Sequence, residues 1–151
     1  MQKDLKYEEA AALLLQSPDY KILRRLKPKT VFAETIEGDV LNAIVIDVET
    51  TGLDPELDEI IELAMIKFTF SRVGQVGRVT ESYHSFNQPA TRIPEAITRL
   101  TGITDNDVAD RKISSESVES FIADSVLVIA HNAAFDRPFA ERVSKNFADK
   151  A

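Results

Sequence analysis

The chain contains a short apolar strand that ends in two acidic side chains, and this feature constrains its fold more than any other. The stretch runs Ala43-Ile-Val-Ile-Asp-Val-Glu-Thr-Thr-Gly52 and places Asp47 and Glu49 two residues apart. In an extended strand, residues i and i+2 point to the same face. Both carboxylates are therefore predicted to project from one side of the strand at its carboxyl end, where they can bind hard divalent cations.

The residues after the two acids are suited to contact a substrate. Thr50, Thr51 and Gly52 offer hydroxyl groups, backbone amides and a flexible turn, and Leu53 follows them. We assign these four residues to substrate binding, although the same sequence could merely form a turn. Strand ends near a surface often carry acids for solubility alone. Buried strands rarely end in two carboxylates on one face without a partner, which favours a functional role.

A third acid follows a second apolar strand, in the segment Ala130-His131-Asn132-Ala133-x-Phe135-Asp136. Asn132 is placed to cap a helix, which puts Asp136 in the first turns of that helix. An acid there can also simply interact with the helix dipole, so Asp136 alone is weak evidence of a site. We also assign His131, Asn132 and Phe135 to substrate binding, with a role in the core as the alternative for Phe135.

Three carboxylates of this kind predict phosphodiester chemistry. Two metal ions about 3.5–4 Å apart can activate a water and stabilise the leaving 3′ oxygen. Asp47 can bridge both ions, while Glu49 and Asp136 each hold one. Mg²⁺ or Mn²⁺ is expected rather than Zn²⁺, because the ligands are carboxylates and the chain has no cysteine.

These segments resemble the motifs of a known enzyme family. Asp47-x-Glu49-Thr-Thr-Gly52 is similar to the first motif of the DEDD 3′–5′ exonucleases, and residues 130–136 are similar to the second. Between them, Pro89-x-x-x-Ile-Pro94 and Leu100-Thr-Gly-Ile-Thr104 resemble the family's connecting loop and helix. The resemblance covers roughly residues 42–147. It implies an α/β, ribonuclease H-like exonuclease fold with a mixed sheet flanked by helices. It also implies action on single-stranded DNA or RNA 3′ ends, with a polymerase or other replication proteins as candidate partners.

Members of that family carry a third motif, a general-base His five residues before a last metal-binding Asp. No such motif follows residue 136, although His131 and Asp136 share its spacing. We assign residues 131–136 to the second motif and expect His84, inside a predicted strand, to be structural or solvent-facing. The exonuclease domain is therefore predicted to be truncated at its C-terminal end, and the 151-residue chain to be inactive or nearly so. Exposed apolar surface and self-association are expected consequences.

Charge is distributed unevenly along the chain. The total is −7 at pH 7, with seven basic and four acidic residues in residues 1–30, which leaves −10 for residues 31–151. An acidic catalytic domain is expected to contact nucleic acid through metals, amides and a small pocket rather than a long basic groove. We divide the chain into a basic helical arm, 1–40, and the exonuclease domain, 41–151. No stretch resembles a membrane span or a secretory signal, so a cytoplasmic location is the default prediction.

The pattern of apolar residues predicts the main elements. Helices are expected near residues 7–17, 20–26, 94–100, 115–124 and 133–146, and strands at 43–48, 58–70, 80–86 and 126–130. The strand at 126–130 is expected to be buried on both faces. Strands that form a meander and then alternate with helices predict a mixed α/β sheet.

Three alternatives remain open from the sequence. The substrate could be RNA, since nothing in the sequence identifies a reader of the 2′-hydroxyl. The domain could be a noncatalytic module whose basic arm, around Lys21 to Lys29, binds a polymerase or nucleic acid. The arm could also be a solvated helical segment that packs on its own domain, which we favour for residues 1–40.

Overall fold

The computed structural model describes residues 2–151, and the side chains from residue 6 onward. Met1, the first residue of the proposed arm, lies outside the described residues. Along the chain, three consecutive strands follow the first helix, and a fourth strand comes later, between two helices. In chain order the elements are α1 (Gln2–Leu14), β1 (Val40–Thr50), β2 (Ile60–Ser71), β3 (Val76–Phe86), α2 (Glu95–Thr101), α3 (Asp105–Val108), α4 (Ser115–Ile122), β4 (Ser125–Ala130), α5 (Ala133–Val143) and a 3-10 helix (Lys145–Asp149).

The four strands form one mixed sheet in the order β3-β2-β1-β4. β2 pairs antiparallel with both β1 and β3, as a meander does. β4 returns through α2, α3 and α4 and pairs parallel with β1, so the carboxyl ends of these two strands meet at one edge of the sheet. The predicted mixed sheet is confirmed, and its β1–β4 edge brings the two acidic segments together.

One face of the sheet holds the main core. Ile46 and Val48 alternate with the two acids of β1 and point into this face, where α4 and α5 cover them. Phe139 of α5 is only 1% exposed and packs in the same cluster. The strand period of two therefore separates the apolar side chains of β1 from its carboxylates.

The opposite face of the sheet, which we call the outer face, carries exposed apolar side chains. Val45 lies opposite Ile66 on β2 and Ile129 on β4, and all three are more than 40% exposed. The expectation that β4 is buried on both faces is therefore wrong. β4 is the last strand of the sheet, and only its core face is covered.

Three predicted helices differ from the structure, and α3 was not predicted. α1 spans Gln2–Leu14 rather than 7–17. Residues 20–26 form no helix, because Leu23 and Leu26 remain more than 80% exposed and a helix this short is unstable without packing. Residues 30–33 instead lie along β3 and bond to its backbone at Gly77 and Val79. α5 ends at Val143 rather than 146, because Ser144 adopts an extended conformation and caps the 3-10 helix that follows.

The remaining helix boundaries lie close to the predicted ones. Ser114 caps α4 by accepting the Ser117 amide, as its sequence position suggested. Pro94 precedes the first turn of α2. None of the helices within residues 2–151 is long and apolar enough to cross a bilayer.

Candidate active site

Asp47 and Glu49 lie on the outer face at the carboxyl end of β1. Asp47 is exposed and Glu49 is half-buried, while Val48 between them is buried in the core. The geometry predicted from their spacing is therefore present. Glu49 lies opposite Glu62 of β2, and Asp47 lies opposite the small side chain of Ala64, which leaves space above the strand.

Asp136 lies in the first turn of α5 and is buried, with 4% of its surface exposed. The pairing of β4 with β1 stops at Ile46 and Ala130, so the backbone of β1 beyond this point is free on that side. The backbone amides of Asn132 and Val48 lie close enough to the Asp136 carboxylate to lower its pKa. Asp136 therefore lies beside the segment of β1 between Asp47 and Glu49.

The carboxyl groups are close enough to affect one another. Burial raises the pKa of Glu49, and the negative charges of Asp47, Glu62 and Asp136 raise it further. Burial also raises the pKa of Asp136, the amides of Asn132 and Val48 oppose this, and the charge of Asp47 adds to the increase. The three acids thus share one electrostatic environment that favours binding of a proton or a cation.

Two further residues belong to this neighbourhood, and sequence reasoning did not assign them. His84 of β3 places its Nε2 2.5 Å from Oε1 of Glu62, next to Glu49. His84 is exposed to solvent, as expected, but its partner connects it to the acids. Glu62 is the residue from which this extension of the site could have been predicted. It is a carboxylate within the apolar run of β2, and it shares the outer face with Glu49.

The turn after β1 is ordered by its own side chains. Thr50 and Thr51 are buried, and the Thr51 hydroxyl donates to the Asp58 carboxylate at 3.0 Å. The same hydroxyl accepts the Glu59 amide at 3.0 Å. Leu53 is 81% exposed at the surface of the turn. The structure therefore brings the predicted substrate segment beside the acids, with Leu53 facing solvent.

The residues predicted around Asp136 are placed in two different ways. His131 and Asn132 are exposed where β4 ends, and Asn132 begins α5 without a hydrogen bond from its side chain to the helix. Phe135 is half-buried, with its ring 5.2 Å from that of Phe139. Packing against the core is therefore the role that the structure shows for Phe135.

The donor set fits a hard divalent cation, because all three donors are carboxylates and positive charge would relieve their mutual repulsion. The side chains of Asp47, Glu49 and Asp136 do not form a preorganised metal site. Within the part of the chain that the structure describes, no three Asp, Glu or His side chains form a group tight enough to hold a metal ion. Metal binding would therefore need rotation of these side chains.

The chain matches the family model described as Exonuclease over residues 44–151, a range that contains all three acids. The chain belongs to the exonuclease family. The DEDD resemblance is confirmed at this level, and relatives in this exonuclease family include the PolC-type DNA polymerase III of Thermotoga maritima, 32% identical over 120 residues. That match covers 78% of this chain and 8% of the relative. The Clostridium perfringens protein of the same name is 38% identical over 109 residues, covering 70% of this chain and 7% of the relative.

Solved structures of exonucleases share the fold. E. coli exonuclease I in complex with a dT13 oligonucleotide superposes with a TM-score of 0.57 at 18% identity, covering 73% of this chain and 25% of that one. Exonuclease X in complex with 5′ overhanging duplex DNA superposes with a TM-score of 0.50 at 27% identity. The match covers 64% of this chain and 52% of that one. The ribonuclease H-like exonuclease fold is thereby confirmed. The chain spans less than a tenth of the polymerase relatives' length and a quarter of exonuclease I.

Proposed function

We propose that this exonuclease domain removes nucleotides from single-stranded 3′ ends, releasing nucleoside monophosphates, with DNA as the favoured substrate. The observation that carries the proposal is the placement of Asp47, Glu49 and Asp136 near enough for their charges to raise the pKa of Glu49 and Asp136, beside an ordered turn. An open edge of this kind accommodates a strand end rather than a wrapped duplex.

The roles follow from the positions of the side chains. Asp47, Glu49 and Asp136 would hold two Mg²⁺ or Mn²⁺ ions, which supply an activated water and stabilise charge on the leaving oxygen. The backbone of Thr51 and Gly52 would receive the terminal nucleotide, and Leu53 would contact its base. His131 and Asn132, exposed beside Asp136, would contact the strand from the other side.

The relatives support DNA and a polymerase setting. The matched curated proteins are named DNA polymerase III, and the two structures described above hold DNA. We therefore propose a polymerase or another replication protein as a partner and the cytoplasm as the location. The exposed outer face, with Val45, Ile66 and Ile129, supports self-association as a further property.

Turnover by the 151-residue chain itself is proposed to be very slow. Its histidines are His84, which is engaged with Glu62, and His131, which is exposed at the end of β4. Neither is held against the acids as a general base would be, and a general base typically accounts for about 10²–10⁴-fold in rate. The carboxylates alone would then support slow, metal-dependent cleavage.

Cleavage under enzyme excess tests this proposal. A 5′-labelled single-stranded oligonucleotide is incubated with the chain in Mn²⁺, with a chelator control and an Asp47→Ala variant. We expect slow stepwise shortening from the 3′ end that requires both the metal and Asp47. Products that begin at the 5′ end, or shortening that persists in Asp47→Ala, would contradict the proposal. An unshortened oligonucleotide would favour the noncatalytic module.

A further inference from the structure

An arginine at the end of α5 holds the turn that follows β1. The Arg142 guanidinium donates to the Asp58 carbonyl oxygen at 2.7 Å, and it also donates to the carbonyl oxygen of Pro55. Hydrogen bonds from a charged donor are stronger than those between neutral groups. Arg142 therefore connects α5 to the turn segment, which we define as residues 51–59.

The turn segment is ordered internally around Asp58. Its carboxylate accepts the Thr51 hydroxyl at 3.0 Å and the Asp54 amide at 2.9 Å. The Asp54 carbonyl in turn accepts the amides of Leu57 and Asp58. A Cβ at Gly52 would overlap the Asp58 carboxylate, so the turn also depends on a glycine there. The segment thus behaves as one unit between the paired ends of β1 and β2, and its Glu59 carboxylate accepts the Ala90 amide at 2.7 Å.

Apolar packing does little to hold this unit. Leu53 and Leu57 are each more than 80% exposed, and they do not anchor the turn segment on α5. A cleft lined by Asn87, Ile113 and Val143 separates the end of α5 from the start of β2. Arg142 also lines this cleft and spans it, so its hydrogen bonds are a main connection between helix and turn.

The same helix also carries Asp136. Arg142 lies six residues further along, about 9 Å along the helix axis. Asp136 is buried beside the backbone of β1 near Val48, and Arg142 bonds to the turn that β1 enters. α5 therefore packs beside β1 at Asp136 and is bonded to the turn segment at Arg142.

We propose that Arg142 is a positioning residue that fixes the turn segment relative to Asp136, and so sets where a terminal nucleotide lies relative to the carboxylates. The consequence for the nucleotide rests on the proposed function. The attachment of the turn segment to α5 by Arg142 is independent of the proposed function. Without the guanidinium, the turn segment would keep its internal bonds but move independently of α5.

Hydrogen exchange of the 151-residue chain tests the attachment. In Arg142→Gln, the amides of residues 54–59 are expected to exchange about threefold to tenfold faster, while β1 and β2 are unchanged. Arg137→Gln is the matched control, because Arg137 lies on the same helix and binds Glu141 and the Ala148 carbonyl instead. Arg142→Lys keeps the charge and should give an intermediate rate.

Binding of thymidine 5′-monophosphate in Mn²⁺ is the second readout. Arg142→Gln should weaken it about threefold to tenfold, and Arg137→Gln should not. Unchanged exchange at residues 54–59 in Arg142→Gln, or equally faster exchange across the whole sheet, would overturn the positioning role. If the wild-type chain does not bind the nucleotide, the proposed function fails, while the exchange rates still decide the role of Arg142.

Discussion

Mn²⁺ is expected to raise the melting temperature of the chain, and Asp47→Ala is expected to remove this increase. A ligand present at about 100 times its Kd stabilises the folded state by about 2.7 kcal/mol. For a domain of this size, that corresponds to a shift of about 5–10 °C. The reason is that Asp47, Glu49 and Asp136 repel one another in the folded chain, and a divalent cation relieves the repulsion. Thermal unfolding with and without a chelator measures the shift.

Asp39→Ala is the matched control, because Asp39 is an exposed acid that precedes β1 at the opposite end of the same strand. It should retain the full metal-dependent shift. An equal shift in Asp47→Ala would mean that the metal binds elsewhere and would contradict the assignment of the site.

The same experiment has a defined pH dependence. Folding raises the pKa of Glu49 and Asp136, so the folded chain holds more protons than the unfolded chain between the ordinary and the raised values. Without metal, the free energy of unfolding therefore falls as the pH rises through that window. Metal binds the deprotonated carboxylates, so the stabilisation by Mn²⁺ should grow over the same window. Parallel slopes with and without metal would contradict this.

Phe139→Ala is expected to cost about 3–5 kcal/mol of the free energy of unfolding. Phe139 is 1% exposed and lies in the cluster that joins α5 to the core face of the sheet. The loss is a large part of the roughly 5–15 kcal/mol that stabilises a typical domain. Urea unfolding followed by circular dichroism measures it. Because α5 also carries Asp136, the variant should bind Mn²⁺ more weakly.

Leu57→Ala is the control for Phe139, since Leu57 is 82% exposed in the turn segment. Its effect should stay within about 0.5 kcal/mol. A Phe139→Ala variant with the stability of wild type would show that α5 is not held by this ring, and the packing described for the core would be wrong.

The sequence predicted the parts of the fold that depend on local pattern. β1 alternates apolar and acidic side chains at its carboxyl end, which is enough to place Asp47 and Glu49 on one face. Ser114 precedes an amphipathic segment and caps α4 as its residue type favours. In each case, the residues that decide the structure are close neighbours in the chain.

The parts that the sequence did not predict depend on contacts between distant segments. The pairing of His84 with Glu62 depends on the register of β3 against β2, which the intervening turn sets. The bond between Arg142 and the Asp58 carbonyl joins elements 84 positions apart, and a carbonyl acceptor leaves no mark in the sequence. Residues 20–26 have helical spacing but no surface to pack on, so no helix forms.

The three acids, with metal, are proposed to hold the 3′ end of a strand. Fluorescence anisotropy tests this claim most directly, with a 5′-labelled single-stranded oligonucleotide that ends in either a 3′-hydroxyl or a 3′-phosphate, in Mn²⁺. A terminal phosphate adds bulk and about −1.5 to −2 charges to the end that the backbone of Thr51 and Gly52 is proposed to receive, so the strand end would be displaced from its place beside the acids. We predict tighter binding of the 3′-hydroxyl strand, lost in chelator and in Asp47→Ala. Equal binding of both strands, unaffected by metal or by Asp47, would contradict the claim.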